Sequence, residues 1–512
     1  MSKIKNIYFI YTIFFSIIQA EEVIYMLKEQ ICKEGILYEN IVGYYLFEGY
    51  DGELSSPICV SENMNEINDL EYYYTEFFSE TSESDYHTFV QKYRFKGIYM
   101  TFRLNNLDLS KYFEGIKIDY KNFNDQLIAF VKNILTENGM LNKDDNVYIS
   151  DGRLNIVLLN KNLDNNIRDV GSKILHAIRD SLDASGFHIT RMFGSYILLM
   201  KNANKLKAVA ATPIPIKYCP LMKKLLEEVG GDNAKKLIEC LGKSDLRKQT
   251  KEMCNLINEV VIESGYFDTN RPLNSCEANV LFGASETMSS AFKTGLIDAA
   301  VIVSNNLGTI ITTNEFNTQG AVKRMTGLFH TSPNKTILER AKEAGIIPVF
   351  PYTAIIDQLE GVKKAISLGY KKIAVSVAAQ DNKLHRELER LEKENNIKIY
   401  KFGLCSTGID YATAISMRDY ADVVWSCASK YVKSEIAPNA ILQVGVKIPV
   451  YIMTEKGFEI VKNHLQLMNG GESLSDEDIK SQESVIINSK DGLKVLKKNN
   501  IHNCSDCPYP CV

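Results

Sequence analysis

The sharpest chemical spacing in this chain is a set of three thiols near its end. In "HNCSDCPYPCV", Cys504, Cys507 and Cys511 lie within eight residues of one another, next to His502. Pro508 and Pro510 keep the stretch from being helical. Three or four soft ligands on such a chain suit zinc or an iron–sulfur cluster. A complete site would need His502, another cysteine such as Cys219 or Cys276, or a ligand from outside the chain. A flexible terminus with redox-active thiols fits the same residues. Two further cysteines, Cys405 and Cys427, each follow a strand-like apolar run. A cysteine at a helix N-terminus gains thiolate character, and with it nucleophilicity or metal affinity. Buried structural cysteine is the commoner role. Asp357, also at a strand end, is the candidate acid/base.

Small polar residues end five apolar runs in the same way. "AAVIVS" runs into Asn305, Asn306, Leu307, Gly308 and Thr309, and "IIPVF" leads to Asp357 and Gln358. "IAVSVA" leads to Gln380 and Asp381, and "IYKFGL" to Cys405, Ser406, Thr407 and Gly408. Val423–Trp425 leads to Ser426, Cys427, Ala428, Ser429 and Lys430. Free backbone N–H groups at a helix start, with the positive dipole end, hold phosphate or carboxylate, and Lys430 would add a cation. Capping alone explains any one such loop; five meeting on one rim point to a ligand cleft. In "LFGASETMSSAFKTG", Ser285 and Glu286 could face that cleft or belong to an ordinary capped helix. Arg324, in Asn317–Pro333, read as a glycine-bearing loop longer than a simple connection needs, could grip an anion bidentately or be a solvated surface residue.

Positioning these residues calls for strands that alternate with helices. From about Gly283 to Met453, "DAAVIVS", "GIIPVF", "KKIAVSVA", "IKIYKFG", "ADVVWS" and "KIPVYIM" alternate with amphipathic stretches such as "KLHRELERLEKENN". That order predicts an α/β domain over 283–470, a Rossmann-like, mainly parallel sheet with helices on both faces. Ligands of such sheets gather outside the strands' carboxyl ends. A smaller α+β domain is expected over 26–209, where strand-like runs frame helices ending at Gly139 and Gly186. A proline-containing linker and helical bridge then covers 210–282, and a cysteine-bearing tail 471–512.

With 45% hydrophobic and 24% charged residues and a net charge of -4, the chain reads as an ordinary globular protein with no nucleic-acid footprint. No apolar run after the N-terminal segment reaches membrane-spanning length. Eleven cysteines, an odd number, argue for a reducing cytoplasm over a disulfide scaffold. The segment 1–25 has two readings. Lys3, Lys5 and "IYFIYTIFFSIIQA" resemble a secretory signal with Ala20 at its cleavage position. Glu21-Glu22-Val23 can instead be encoded by a ribosome-binding sequence, which would make Met26 the true start.

From about Tyr218 to Gly457 the chain resembles the methanogenesis marker protein 8 family, a domain of unknown function. The matching stretches are "YCPL", "FGASE", "GTII", "RMTGLFHTSP", "AIIDQLEGVKKAISLGYKKIAVSVA", "RELE", "STGI", "ADVVWSCASK" and "AILQVGVKIPVYIMTEKG". Ser304–Leu307 and Ala321–Lys323 depart from that family's glycine-richer pattern. The resemblance implies an association with methane-forming archaea and with maturing or activating methyl-coenzyme M reductase. In a non-methanogenic anaerobe it implies another target. Three functions follow as expectations. The first is an accessory factor that binds a small anionic ligand or metal cofactor and works with a redox enzyme or other maturation proteins. The second is an enzyme acting on a small phosphorylated or carboxylated metabolite, and the third a non-catalytic ligand-binding or sensory module.

Overall fold

The computed structural model describes residues 38–39, 44–50, 53–54, 58–60, 96–106, 109, 112–113, 121–150, 152–202, 205–215, 223, 226–227, 229–241, 245–277, 280–322, 327–351, 353–378, 383–446, 448–470, 475, 484–489 and 492–497. Segment 1–25, the stretch holding Lys323 and Arg324, and Cys504, Cys507 and Cys511 lie outside them.

The N-terminal part is antiparallel. Its strands are β1 (Tyr38–Glu39), β2 (Tyr44–Tyr50), β3 (Glu53–Leu54), β4 (Ile58–Val60), β5 (Gly97–Arg103), β6 (Asn105–Asn106), β7 (Asn146–Ser150) and β8 (Arg153–Leu159). The main sheet runs β3-β2-β5-β8-β7, with β4 also on β2 and a separate β1-β6 pair. Alternation along β5 and β8 sends Ile98, Met100, Phe102, Leu154, Ile156 and Leu158 to one buried face. There they meet Leu127, Val131 and Leu135 of α1 (Lys121–Glu137) and Val170, Ile174 and Ile178 of α2 (Asn165–Ser185). Gly139 and Gly186, at positive φ, follow the two helices as expected.

A second, four-stranded sheet has the order β11-β10-β9-β14, from β9 (Phe187–Met192), β10 (Ser195–Asn202), β11 (Lys205–Ala211) and β14 (Gly327–Thr331). The strand β14 arrives from the C-terminal half, within the stretch expected to be a long loop, and its antiparallel pairing with β9 makes this sheet span the boundary expected at 209/210. One face of β10 (Leu198, Met200) joins the N-terminal core. The other (Ile197, Leu199) packs on α3 (Gly231–Cys240) and α4 (Leu246–Ile257) through Leu237, Met253 and Leu256.

The C-terminal half is built on ten strands in the order β15-β13-β12-β16-β17-β18-β20-β19-β21-β22. They are β12 (Ala299–Ser304), β13 (Gly308–Thr312), β15 (Ile347–Pro348), β16 (Lys372–Ala378), β17 (Lys398–Leu404), β18 (Val423–Trp425), β19 (Leu442–Val444), β20 (Val450–Ile452), β21 (Ser484–Ser489) and β22 (Gly492–Lys497). The last two lie within the expected tail. Helices cover both faces, as the alternating pattern predicted. Ala300 and Ile302 of β12 face Met288 and Ala291 of α5 (Ala284–Lys293) and Ala321 of α6 (Glu315–Val322), with α7 (Lys335–Glu343) alongside. Ala299 and Val301 face Val362 and Ala365 of α8 (Gln358–Ser367) and Leu388 of α9 (Leu384–Asn395). Two more helices, α10 (Tyr411–Tyr420) and α11 (Glu455–Met468), complete the covering.

The sheet is mixed, which corrects the expectation of a mainly parallel one. Only the run β12-β16-β17-β18 and the β19–β21 pair are parallel. The reason lies in connection length. Only Asn305–Leu307 separate β12 from β13, far too few residues for a crossover, so β13 turns back beside β12. Asn306 and Gly308 both take φ of 63°, and a Cβ on Gly308 would sit 2.1 Å from the Ala354 carbonyl oxygen. The strands β19 and β20 form a second hairpin that sets β20 antiparallel to β18.

Candidate functional site at the seam between two sheets

The four-stranded sheet crosses the carboxyl-terminal edge of the ten-stranded one. At one end, the Arg191 side chain on β9 donates to the Cys405 carbonyl at 3.1 Å and the Thr407 carbonyl at 2.8 Å, both just after β17. At the other, the Asn306 amide donates to Thr331 Oγ1 at 2.8 Å, and the same hydroxyl is 2.8 Å from His188 Nδ1. Gly194, in the β9–β10 turn, packs so closely that a Cβ there would meet Thr407 at 2.9 Å. The loop after β17 and the turn after β12 therefore lie under the second sheet, while Gln380 and Asp381 lie outside the described residues.

Two strand-end loops interlock beneath that roof. Buried Ser406 donates to the Trp425 carbonyl at 2.8 Å and accepts from the Cys427 amide at 2.9 Å. The Gly408 amide donates to the Ala428 carbonyl at 2.9 Å. These bonds bring Cys405, Ser406, Thr407, Gly408 and Cys427 together. Cys405 takes a left-handed φ of 56°, and its Sγ abuts Gly327, where a Cβ would stand 2.9 Å away. Withdrawal from water and the neighbouring Cys427 push the Cys405 thiol up to about 11, against a smaller opposite pull from Arg191. At neutral pH it is a thiol, which weakens its candidacy as nucleophile. Cys427 is exposed. Ser429 is buried and accepts from the Val432 amide, a capping contact, and exposed Lys430 lies 4.9 Å over the Tyr431 ring. Arg191 stacks 5.0 Å from the Tyr196 ring, which leads to Phe329 and Tyr112 in edge-on contacts. Burial raises the Tyr196 phenol's pKa, while Arg191 pulls it down.

The remaining candidates form two other groups. Across β16, Thr309 is fully buried in β13, and its hydroxyl accepts from the Asp357 amide at 2.8 Å. Asp357 caps α8 by accepting from the Glu360 amide at 2.9 Å. Burial raises its pKa and the cap bond lowers it, with burial prevailing. This carboxylate has the ordinary work of a cap. At the start of α5, buried Glu286 accepts from Ser285 Oγ at 2.9 Å, Gln319 Nε2 at 3.1 Å and the Val280 amide at 3.2 Å. Trp425 Nε1 donates to the Phe282 carbonyl at 2.7 Å, so the "FGASE" stretch closes against the end of β18. Among the described residues no three His, Cys, Asp or Glu side chains are grouped to hold a metal ion. Nor is any helix among them long and apolar enough to cross a membrane.

The sequence reading missed Arg191 and Arg271. A charge inside the otherwise apolar hairpin "FHITRMFGSYILLM" was the available sign of the first. The second, in "NRPLN", carries no periodic signal at all.

A ten-stranded mixed sheet with helices on both faces, two of whose strand-end loops lie under a second, antiparallel sheet, defines the class, an α/β protein. The chain belongs to the family described as "Uncharacterized protein conserved in archaea (DUF2099)", which matches residues 188–466. It is 36% identical over 277 residues to "Uncharacterized protein MJ0054" of Methanocaldococcus jannaschii, an alignment covering 54% of this chain and 89% of that protein. The family match opens on His188 in β9, so the roof strands and most of the large sheet fall within it. The N-terminal antiparallel sheet falls outside.

Proposed function

We propose that this protein is a cytoplasmic accessory factor of the methanogenesis marker protein 8 type. It binds a small anionic ligand or metal cofactor and assists maturation or activation of a redox enzyme in an anaerobe. The observation that carries this reading is the interlocking of the Cys405 and Cys427 loops through Ser406, under Arg191 and three residues from Lys430. Neighbouring thiols beside cations suit soft-metal binding or thiol exchange, and exposed Cys427 is the one a partner can reach. Cys504, Cys507 and Cys511 are the proposed ligands of an iron–sulfur cluster or zinc. The alternative of an enzyme with Asp357 as acid/base has less support, because that carboxylate already caps α8. Anaerobic purification with iron and zinc analysis, followed by partner recovery from an anaerobic extract, tests the proposal. Wild type is expected to recover a redox enzyme, and Cys427→Ser to recover much less. Equal recovery by Cys427→Ser, or recovery of no redox enzyme by wild type, would overturn it.

A further inference from the structure

Arg271 lies on the chain between α4 and α5 and is 4% exposed. Its Nη2 donates to Ser304 Oγ at 2.7 Å and to the Asn305 carbonyl at 2.9 Å, at the turn between β12 and β13. Its Nε has no hydrogen-bond partner among the described residues. No carboxylate among them forms an ion pair with it, and the charge acting on it is a second cation, Arg340, whose Nη1 donates to the Thr269 carbonyl. Burial and Arg340 both lower the Arg271 pKa, to about 10, which still leaves the guanidinium charged at neutral pH. A buried cation facing another cation is costly until an anion joins it.

The turn bonded to this guanidinium has orphan atoms of its own. Asn305 Nδ2 donates to the Tyr266 carbonyl at 2.8 Å, and Asn306 Nδ2 donates to the Ser332 carbonyl at 3.1 Å. Because a carbonyl partner needs a donor, these bonds fix which amide atom is nitrogen. The Oδ1 atoms of both residues are then left buried and without a partner among the described residues. Water could satisfy two amide oxygens, but it would leave the charge uncompensated. A ligand that answers all three atoms must bring negative oxygen for Arg271 and at least one O–H or N–H for Asn305 and Asn306.

We propose that Arg271 and the β12–β13 turn form a binding site for a small oxyanion bearing a hydrogen-bond donor, of which protonated inorganic phosphate is the simplest. The site lies across β16 from the thiol loops and does not rest on the function proposed for them. Its probes are inorganic phosphate and sulfate, titrated calorimetrically into the full chain at neutral pH. One equivalent of phosphate is expected to bind, with sulfate, which has no proton to donate, at least about tenfold weaker. Arg271→Gln is expected to weaken phosphate by about tenfold or more. Because loss of a buried arginine can compromise folding, Asn306→Gly supplies a second arm. Glycine accepts the left-handed φ of 63°, so the fold should persist while one acceptor is lost. Phosphate should then weaken by about tenfold and the preference over sulfate should narrow. Cys427→Ser is expected to bind phosphate as wild type does. The proposal is overturned by wild type that binds no phosphate at millimolar concentration, by folded variants that bind it unchanged, or by loss of binding in Cys427→Ser.

Discussion

Lowering the pH from 7.0 to 5.5 should destabilise this protein steeply, and His385 offers the cleanest way to see why. It lies on α9, fully buried, with neither ring nitrogen hydrogen-bonded among the described residues. Its Nε2 is 3.6 Å from where a Cβ on Gly403 would stand. Burial, with nearby Lys401 adding to it, lowers its pKa to about 3. Burial likewise lowers His188 to about 3, with His330 contributing, and His330 to about 4. A depressed histidine pKa means the unfolded chain takes up the proton first. The stability is therefore complete above about pH 6.5 and is lost as pH falls towards the folded values. Between pH 7.0 and 5.5 each group costs about 1.3 kcal/mol, and the three together about 4. The figure barely depends on whether a folded value is 3 or 4, since both lie well below the window. Carboxylates stay largely ionised there, so histidines dominate the change. Urea unfolding of wild type and His385→Leu at both pH values measures it. The variant should be at least as stable at pH 7.0, because two unpartnered nitrogens are removed, and its acid loss should be smaller by about 1.3 kcal/mol. An identical acid loss in the two proteins would refute the reasoning.

Two further outcomes follow. Asp357→Ala should lower stability by about 1 kcal/mol, while Asp357→Asn, which can still accept from the Glu360 amide, should stay close to wild type in a thermal melt. Alkylation at pH 8 followed by peptide mass spectrometry should modify exposed Cys427 well before Cys405, whose thiol is pushed up to about 11.

Periodicity and composition in the sequence were enough to place six strands of the C-terminal half and helices on both faces of its sheet, but not β13 or β19, which are buried throughout. Those features are local: an apolar run such as "AAVIVS" or a stripe through Leu384 and Leu388 reports burial wherever the chain goes. Strand direction is different. Asn305–Leu307 read as a ligand loop ahead of a helix, yet three residues suffice only for a hairpin, and that decided the mixed sheet. The strand-end residues were legible as a set, but their duties were not. The Thr309 hydroxyl accepts from the Asp357 backbone amide and the Asp357 carboxylate caps a helix, whereas Ser406 ties two loops together. Arg191 and Arg271 gain meaning only from partners far along the chain, at Cys405, Thr407 and Ser304. Charge in a cleft depends on which distant segments share it and on how much water they exclude, and that is settled by tertiary packing alone.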